Sequence, residues 1–255
     1  MKKYICLVLL LFLFPGLLFA QPAVRLMTEN LPPFNFIRDG QIVGMATEVV
    51  EAVFRQVGCP VEQGEIQMYP WTRAYYEVQH VPNTALYSMA RTAAREDLFK
   101  WVGPISDVTI GVIAKKKRGI KITTAEDFKK YQIGTVRDGA PEQLLIKAGV
   151  NTEQLNRLAF PKMNIKKLQT DRIDLFVFNV QTARYLMLTL GINPEDYETV
   201  FSLKKMDLYI GLHKDTSATL VTALQVALDE MKQSEDGGMS RFEQIIGKYL
   251  TEDSF

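Results

Sequence analysis

The segment Ala85–Pro104 reads ALYSMARTAAREDLFKWVGP and holds the most informative pattern in the chain. Its apolar run ends at Arg91-Thr92, and Arg95 follows one helical turn later. We expect Thr92 to cap a helix, because a threonine hydroxyl can accept a hydrogen bond from the turn that it opens. A helix start with free N–H groups and two arginines beside it suits an anion such as a carboxylate. The alternative is that Arg91 and Arg95 are solvated residues of a strand-to-helix turn.

The first 20 residues have the layout of a secretory signal peptide. Lys2 and Lys3 precede an apolar stretch that ends at Ala20, which predicts cleavage after that residue. A retained anchor is less favoured, because Pro15-Gly16 interrupts an apolar run that is already short for a membrane span. The sequence therefore predicts export from the cytoplasm.

The composition limits the functions that the exported part can have. Loss of two lysines on cleavage changes the formal charge from +1 to −1, so no overall field attracts nucleic acid. The basic run Lys115–Arg118 is typical of a solvated turn, and we expect no nucleic-acid binding. Cys59 is the one cysteine of the mature part, so it has no partner for an intramolecular disulfide, and we expect inert packing. His80 and His213 form no metal-binding pattern, so we expect neither a metal nor another cofactor.

Short apolar strands alternate with amphipathic helices, which indicates an α/β fold. The predicted strands are 24–28, 61–67, 108–114, 132–136, 174–178 and 208–212. The predicted helices are 47–57, 70–78, 123–130, 141–148, 181–190, 219–231 and a last one around 242–250. The chain changes from one α/β unit to the other only near 112–116 and 208–213, which predicts two lobes joined by two crossing strands with a ligand cleft between them. We assign 1–20 to the signal peptide, 21–113 plus 210–255 to lobe 1, and 114–209 to lobe 2.

Six motifs occur in order along nearly the whole mature chain. They are Glu29–Phe34 (ENLPPF), Gly44–Val50 (GMATEVV), Ser88–Arg95 (SMARTAAR), Trp101–Pro104 (WVGP), Gly134–Glu142 (GTVRDGAPE) and Asp171–Asp174 (DRID). In this order they resemble the bacterial extracellular solute-binding proteins of family three, the periplasmic receptors of polar-amino-acid ABC importers. The resemblance implies a two-lobed periplasmic-binding-protein type II fold. It also implies a monomer that closes by a hinge movement over an amino acid or related organic acid and then docks on a membrane ABC permease.

The resemblance also implies roles for single residues. Arg95 falls on the arginine that grips the ligand α-carboxylate, and Ala90 on a Ser/Thr that assists it. Trp71 falls on an aromatic that lies against the ligand side chain. Asn179 falls where an aspartate usually holds the α-amino group, and a neutral amide loses the ionic hold on an ammonium. Glu29, in the first loop of the cleft, is then the candidate amine contact.

Three further arginine positions remain open at this level. Arg91 falls on a family position that is often apolar. Arg73 can point into the cleft or along its helix, and Arg137 can contact the ligand or form a local ion pair with Asp138. The complete set of expected binding residues is Glu29, Leu31, Phe34, Trp71, Arg73, Met89, Ala90, Arg91, Arg95, Arg137 and Asn179.

Two other functions are compatible with the sequence. One is a cyclohexadienyl or arogenate dehydratase-like enzyme on the same fold, with Glu29 as the general acid. The other is a sensor component that presents its ligand to a membrane receptor instead of a permease. No catalytic triad, nucleophile elbow or metal pattern appears in the sequence, so we expect a binding protein and not an enzyme.

Overall fold

The structure, a computed structural model, describes residues 24–59, 61, 65–234 and 237–249. The predicted signal peptide lies outside the described residues. Within the described ranges, no helix combines the length and apolar character that crossing a bilayer requires. The same ranges hold no group of three or more His, Cys, Asp and Glu side chains placed to bind a metal ion.

Strands and helices alternate through the described part of the chain, as predicted. The strands are β1 (Arg25–Thr28), β2 (Phe36–Arg38), β3 (Gln41–Val43), β4 (Gln67–Met68), β5 (Thr84–Ala90), β6 (Phe99–Lys115), β7 (Ile133–Val136), β8 (Leu155–Leu158), β9 (Leu175–Asn179) and β10 (Tyr197–His213). The α-helices are α1 (Met45–Gln56), α2 (Trp71–His80), α3 (Ala140–Lys147), α4 (Pro161–Gln169), α5 (Val180–Thr189), α6 (Ala218–Lys232) and α7 (Arg241–Gly247). Eight strands form one mixed sheet in the order β4-β1-β5-β10-β6-β9-β7-β8, and β2 and β3 form a separate hairpin.

Two long antiparallel strands, β6 and β10, join the two halves of the sheet. They pair from Tyr197 opposite Lys115 to His213 opposite Phe99. One half of the sheet attaches where β10 pairs with β5, between Leu208 and Leu212. The other half attaches where β6 pairs with β9, between Ile110 and Ile113. The strands predicted over 108–114 and 208–212 are therefore parts of much longer strands that cross between the halves.

The core is built on strands that are covered on both faces. All seven residues of β5 are buried, and so are the five residues of β9. Helix α1 covers one face with its valines and begins at Met45, directly after Gly44. At Gly44 the φ angle is +131°, and a Cβ would lie 2.3 Å from the carbonyl oxygen of Phe34. Only glycine fits this turn, which sets the loop after β1 against the start of α1.

The predicted helix after Thr92 is absent from the structure. The chain leaves β5 at Ala90, and a short 3₁₀ helix over Glu96–Leu98 leads directly into β6. The Arg95 N–H donates to the carbonyl of Thr92 (2.9 Å), and the Thr92 hydroxyl donates to Gln143 (3.1 Å). Thr92 therefore caps no α-helix, because too few residues separate the two strands.

Other local predictions also need correction. Of the strand predicted over 61–67, only Gln67 is in a strand, since β4 spans Gln67–Met68, and residues 62–64 lie outside the described part. The predicted helix at 123–130 is a 3₁₀ helix over Ala125–Lys130, and its capping box joins Thr124 with Asp127 instead of Thr123 with Glu126.

Candidate functional site

A cavity of about 50 Å³ lies where the two halves of the sheet meet. The loop after β1, the first residue of α2 and the end of β5 line it from the first predicted lobe. The β7–α3 loop and the end of β9 line it from the second. Six of the expected binding residues border this space: Glu29, Leu31, Trp71, Ala90, Arg95 and Asn179. The structure thus brings together residues that lie up to 150 positions apart in sequence.

Arg95 is the central charged group of the cavity and is only 1% exposed. Its Nη1 donates to the carbonyl of Ala90 (3.1 Å), and its Nη2 donates to the carbonyl of Asp138 (2.9 Å). The guanidinium carbon lies 4.7 Å from the ring centre of Trp71 and 5.0 Å from that of Tyr75. Burial lowers the pKa of Arg95, but a guanidinium stays charged at neutral pH. Its buried Nε has no hydrogen-bond partner among the described residues.

The Asp138 carbonyl connects the two sides of the cavity. It accepts the Arg95 bond and also a bond from Trp71 Nε1 (3.0 Å). Asp138 adopts a left-handed conformation with φ 58°, and its own N–H donates to Glu142 (2.7 Å). Glu142 is buried and paired with Arg157, so this loop is fixed from behind.

Glu29 is the single carboxylic acid among the described residues that line the cavity. Its side chain is partly buried, and burial raises the pKa of Glu29 to about 7, although the positive charge of Arg95 acts in the opposite direction. The Asn35 side chain donates to the Glu29 carbonyl and fixes the backbone there. Near neutral pH this carboxyl can therefore either donate or accept a hydrogen bond.

Asn179 ends β9 and caps helix α5. It is 2% exposed, and its Oδ1 accepts the N–H of Thr182 (3.1 Å). Its Nδ2 is buried without a hydrogen-bond partner in the described part of the chain. The Thr182 hydroxyl donates to the Pro32 carbonyl (2.7 Å), which ties α5 to the loop after β1.

Five expected binding residues do not line the cavity. Arg91 pairs with Glu96 and lies over the rings of Trp101 and Tyr209, because the turn after β5 carries it away from the cavity. Arg73 points along its helix, where it pairs with Glu77.

Exposure, strand direction and burial keep the remaining three away from the cavity. Arg137 is exposed, and the ion-pair partner of Asp138 is Arg157 instead. Met89 faces the side of β5 opposite to Ser88 and Ala90, since side chains alternate along a strand. Phe34 is fully buried in the core.

Several lining residues were missed from sequence. They are Ser88, Val108, Ile110, Val136, Gly139, Ala140, Pro141, Phe178 and Leu208. Ser88 lies at an irregularity of β5, with φ 60°, so a regular period of two along the strand does not identify it. The apolar residues of the long strands carry no pattern that separates a cavity wall from ordinary core.

A second, larger space of about 450 Å³ adjoins the cavity and shares Glu29 and Trp71 with it. Its other walls are mostly apolar, from Met68–Pro70 on one side and Ala159–Met163 on the other. Phe160 and Met163 are about half exposed there. The smaller cavity therefore continues into an apolar vestibule between the same two halves of the molecule.

The family model of the bacterial extracellular solute-binding proteins, family 3, matches residues 24–251. A search of the curated proteins finds no match to the sequence. Among solved structures, a histidine kinase sensor domain with similarity to periplasmic binding proteins aligns with a TM-score of 0.77 and 17% identity, covering 90% of this chain and 96% of that one. An ancestral arginine-binding protein bound to arginine aligns with a TM-score of 0.74 and 20% identity, covering 90% of this chain and 99% of that one. A third structure is the substrate-binding protein of an ABC uptake transporter from Streptococcus pneumoniae with bound histidine. It aligns with a TM-score of 0.75 and 20% identity, covering 91% of this chain and 94% of that one.

At these identities the structural likeness shows the fold alone, and the predicted two-lobed type II periplasmic-binding fold is confirmed. The family match extends over nearly all of the described residues. The chain belongs to the bacterial extracellular solute-binding proteins, family 3.

Proposed function

We propose that the protein binds a small carboxylate-bearing solute between its lobes, with Arg95 as the group that holds the carboxylate. The observation that carries this proposal is the buried guanidinium of Arg95, whose Nε lacks a partner within the described residues that surround the cavity. Burial of an unpaired charge is costly, and a carboxylate supplies both the opposite charge and the missing acceptors. The stacked rings of Trp71 and Tyr75 pack against one side of the guanidinium.

Closure of the lobes accompanies binding in this proposal. The Asp138 carbonyl from lobe 2 accepts bonds from Trp71 and Arg95 of lobe 1, and Thr182 of lobe 2 donates to Pro32 of lobe 1. These bonds exist only while the lobes are in contact. The two strands β6 and β10 are the chain segments about which the lobes would rotate, with the predicted lobe boundaries at 113/114 and 209/210.

The proposed cellular role is capture of an amino acid or a related acid in the periplasm and delivery by a monomer to an ABC permease. Membership of an extracellular solute-binding family supports this location, and the solved structure from an ABC uptake transporter supports the delivery step. The similarity to a histidine kinase sensor domain supports the other role, presentation of the ligand to a membrane receptor. Both roles begin with the same binding event at Arg95.

The binding proposal is tested by thermal shift with the natural L-amino acids and a set of small organic acids. A ligand at a hundred times its Kd is expected to stabilise the protein by about 2.7 kcal/mol. Arg95→Met is expected to abolish the shift, while Arg91→Met retains it because Arg91 lies outside the cavity. Absence of a shift with every acid, or an equal shift in the Arg95 variant, contradicts the proposal.

A second candidate function rests on Glu29. A carboxyl with its pKa raised to about 7 beside a buried cationic group is suited to act as a general acid that protonates the leaving hydroxyl of a prephenate-like acid, which loses water and carbon dioxide together. The test is incubation with prephenate and with arogenate, followed by absorbance of phenylpyruvate and assay of phenylalanine. Product that disappears in Glu29→Gln supports the enzyme, and no product from either compound rejects it.

A further inference from the structure

From the surroundings of Asn179 we infer that the ligand presents a hydrogen-bond acceptor, and not an ammonium group, to the lobe-2 side of the cavity. The ligand class is then a 2-hydroxy acid, a 2-oxo acid or another carboxylate without an α-amino group. This inference rests on the proposed function, because it takes the ligand carboxylate to be held by Arg95.

The orientation of the Asn179 amide is fixed by the helix that it caps. Its oxygen accepts the Thr182 N–H at the start of α5, at 3.1 Å. A flipped amide would set its NH₂ group against that N–H, and two donors would then face each other. The group left for the ligand is therefore the buried Nδ2, which has no partner among the described residues. An amide nitrogen of this kind donates hydrogen bonds and accepts none.

The helix itself also disfavours a cation at this position. Helix α5 runs for ten residues from Val180 to Thr189, and its N-terminus carries the positive end of the helix dipole. An ammonium beside Asn179 would meet both this dipole and the donor hydrogens of the amide. A hydroxyl, carbonyl or carboxylate oxygen would instead satisfy the unpaired Nδ2.

No carboxylate that lines the cavity from the lobe-2 side offsets this preference, and the nearby carboxylate of Asp138 is paired with Arg157 (3.3 Å). Among the described lining residues the single acid is Glu29, which belongs to the loop after β1 on the opposite side. Burial raises the pKa of Glu29 to about 7, so near neutral pH a large fraction of it carries no charge. The cavity therefore offers the ligand the positively charged guanidinium of Arg95 at one end and the neutral hydrogen-bond donor Nδ2 of Asn179 at the other.

The test compares matched series in which only the group on the α-carbon changes. For alanine, leucine, methionine, phenylalanine, aspartate and glutamate, calorimetry measures the Kd of the L-amino acid, the L-2-hydroxy acid and the 2-oxo acid. In at least one series we expect the hydroxy or oxo acid to bind the wild-type protein about tenfold or more tightly than the amino acid, since the amino acid leaves Nδ2 unpaired.

The decisive variant is Asn179→Asp. Aspartate is as good a helix cap as asparagine, so the variant keeps the bond to Thr182 while it supplies a carboxylate oxygen for an ammonium. We expect it to shift the ratio of the two Kd values by about tenfold or more toward the amino acid. Asn193→Asp is the matched control, because Asn193 also caps a helix, the 3₁₀ helix Pro194–Asp196, but lies outside the cavity. In this variant the ratio of the two Kd values is expected to equal that of the wild type.

The outcomes separate the two proposals. If the wild-type protein binds the amino acids as tightly as their counterparts or more tightly, with Arg95→Met still abolishing binding, the inference about Asn179 is wrong and the carboxylate proposal stands. An unchanged ratio in Asn179→Asp also overturns the inference. Any further acid that shifts the melting temperature in the thermal-shift set joins the comparison with its counterparts. If no acid binds in either experiment, the carboxylate proposal itself fails and the inference falls with it.

Discussion

Replacement of Glu29 by glutamine should make the stability of the protein less sensitive to pH. Burial raises the pKa of Glu29 from its ordinary value of 4.5 to about 7 in the folded state. Between these two values the folded state holds a proton that the unfolded state has lost, so the free energy of unfolding falls as the pH rises. One pKa unit corresponds to about 1.4 kcal/mol, so the full effect is about 3 kcal/mol.

Glutamine has nearly the same shape and carries no charge, so it removes this penalty. Urea unfolding of both proteins from pH 4.5 to 8.5 should give nearly equal stabilities at the acidic end. At pH 8 and above, Glu29→Gln should be more stable by about 3 kcal/mol. Glu96→Gln is the control, since Glu96 is exposed and paired with Arg91, which lowers its pKa instead. A difference between wild type and Glu29→Gln that stays constant with pH would refute the reasoning.

Two more predictions concern the contact between Trp71 and Asp138 across the cavity and the turn at Gly44. Trp71→Phe keeps an aromatic ring beside Arg95 but removes the Nε1 bond to the Asp138 carbonyl, so ligand affinity measured by calorimetry should fall about twofold to tenfold. Tyr76→Phe, at an exposed position of the same helix, should leave the affinity unchanged. Gly44→Ala places a Cβ against the Phe34 carbonyl at a φ of +131° and should lower the free energy of unfolding by more than about 2 kcal/mol. Gly247→Ala should leave the free energy of unfolding nearly unchanged, because its Cβ meets nothing closer than 3.9 Å. Equal losses of unfolding free energy in the two alanine variants would contradict the steric argument.

The alternation of strands and helices and the two-lobed architecture could be predicted because the relevant signals are local. Strand β9 begins with the apolar run LFVF, and β5 is apolar apart from Thr84 and Ser88, as expected of strands covered on both faces. The parts of β6 over 99–107 and of β10 over 197–207 gave no such signal. There the two strands pair mainly with each other, and charged residues such as Asp107, Lys204 and Lys205 are exposed. Because these charged residues interrupt the apolar residues, the sequence shows no strand pattern in these parts.

The two arginines of the segment Ala85–Pro104 show where sequence reasoning ends. Arg91 and Arg95 lie four residues apart, and a helix would have placed both near one anion site. The short turn instead directs Arg91 to Glu96 and buries Arg95 against the stacked rings of Trp71 and Tyr75 on α2. A turn of this kind is determined by the positions of β5 and β6, which no local pattern specifies. The role of the Asp138 carbonyl could not be predicted from the sequence either, because every residue has a backbone carbonyl and its use leaves no pattern in the side chains.

The geometry of Arg95 also explains how ligand binding and lobe closure could be coupled. A guanidinium has five N–H donors, and in this structure one goes to Ala90 and one to Asp138. The Nε donor remains unpaired among the described residues, so a carboxylate need not displace the Asp138 carbonyl. A carboxylate that fixes the plane of the guanidinium also aims Nη2 at Asp138. Binding would then favour the closed state through the same side chain, and Trp71→Phe would weaken closure without removing that link.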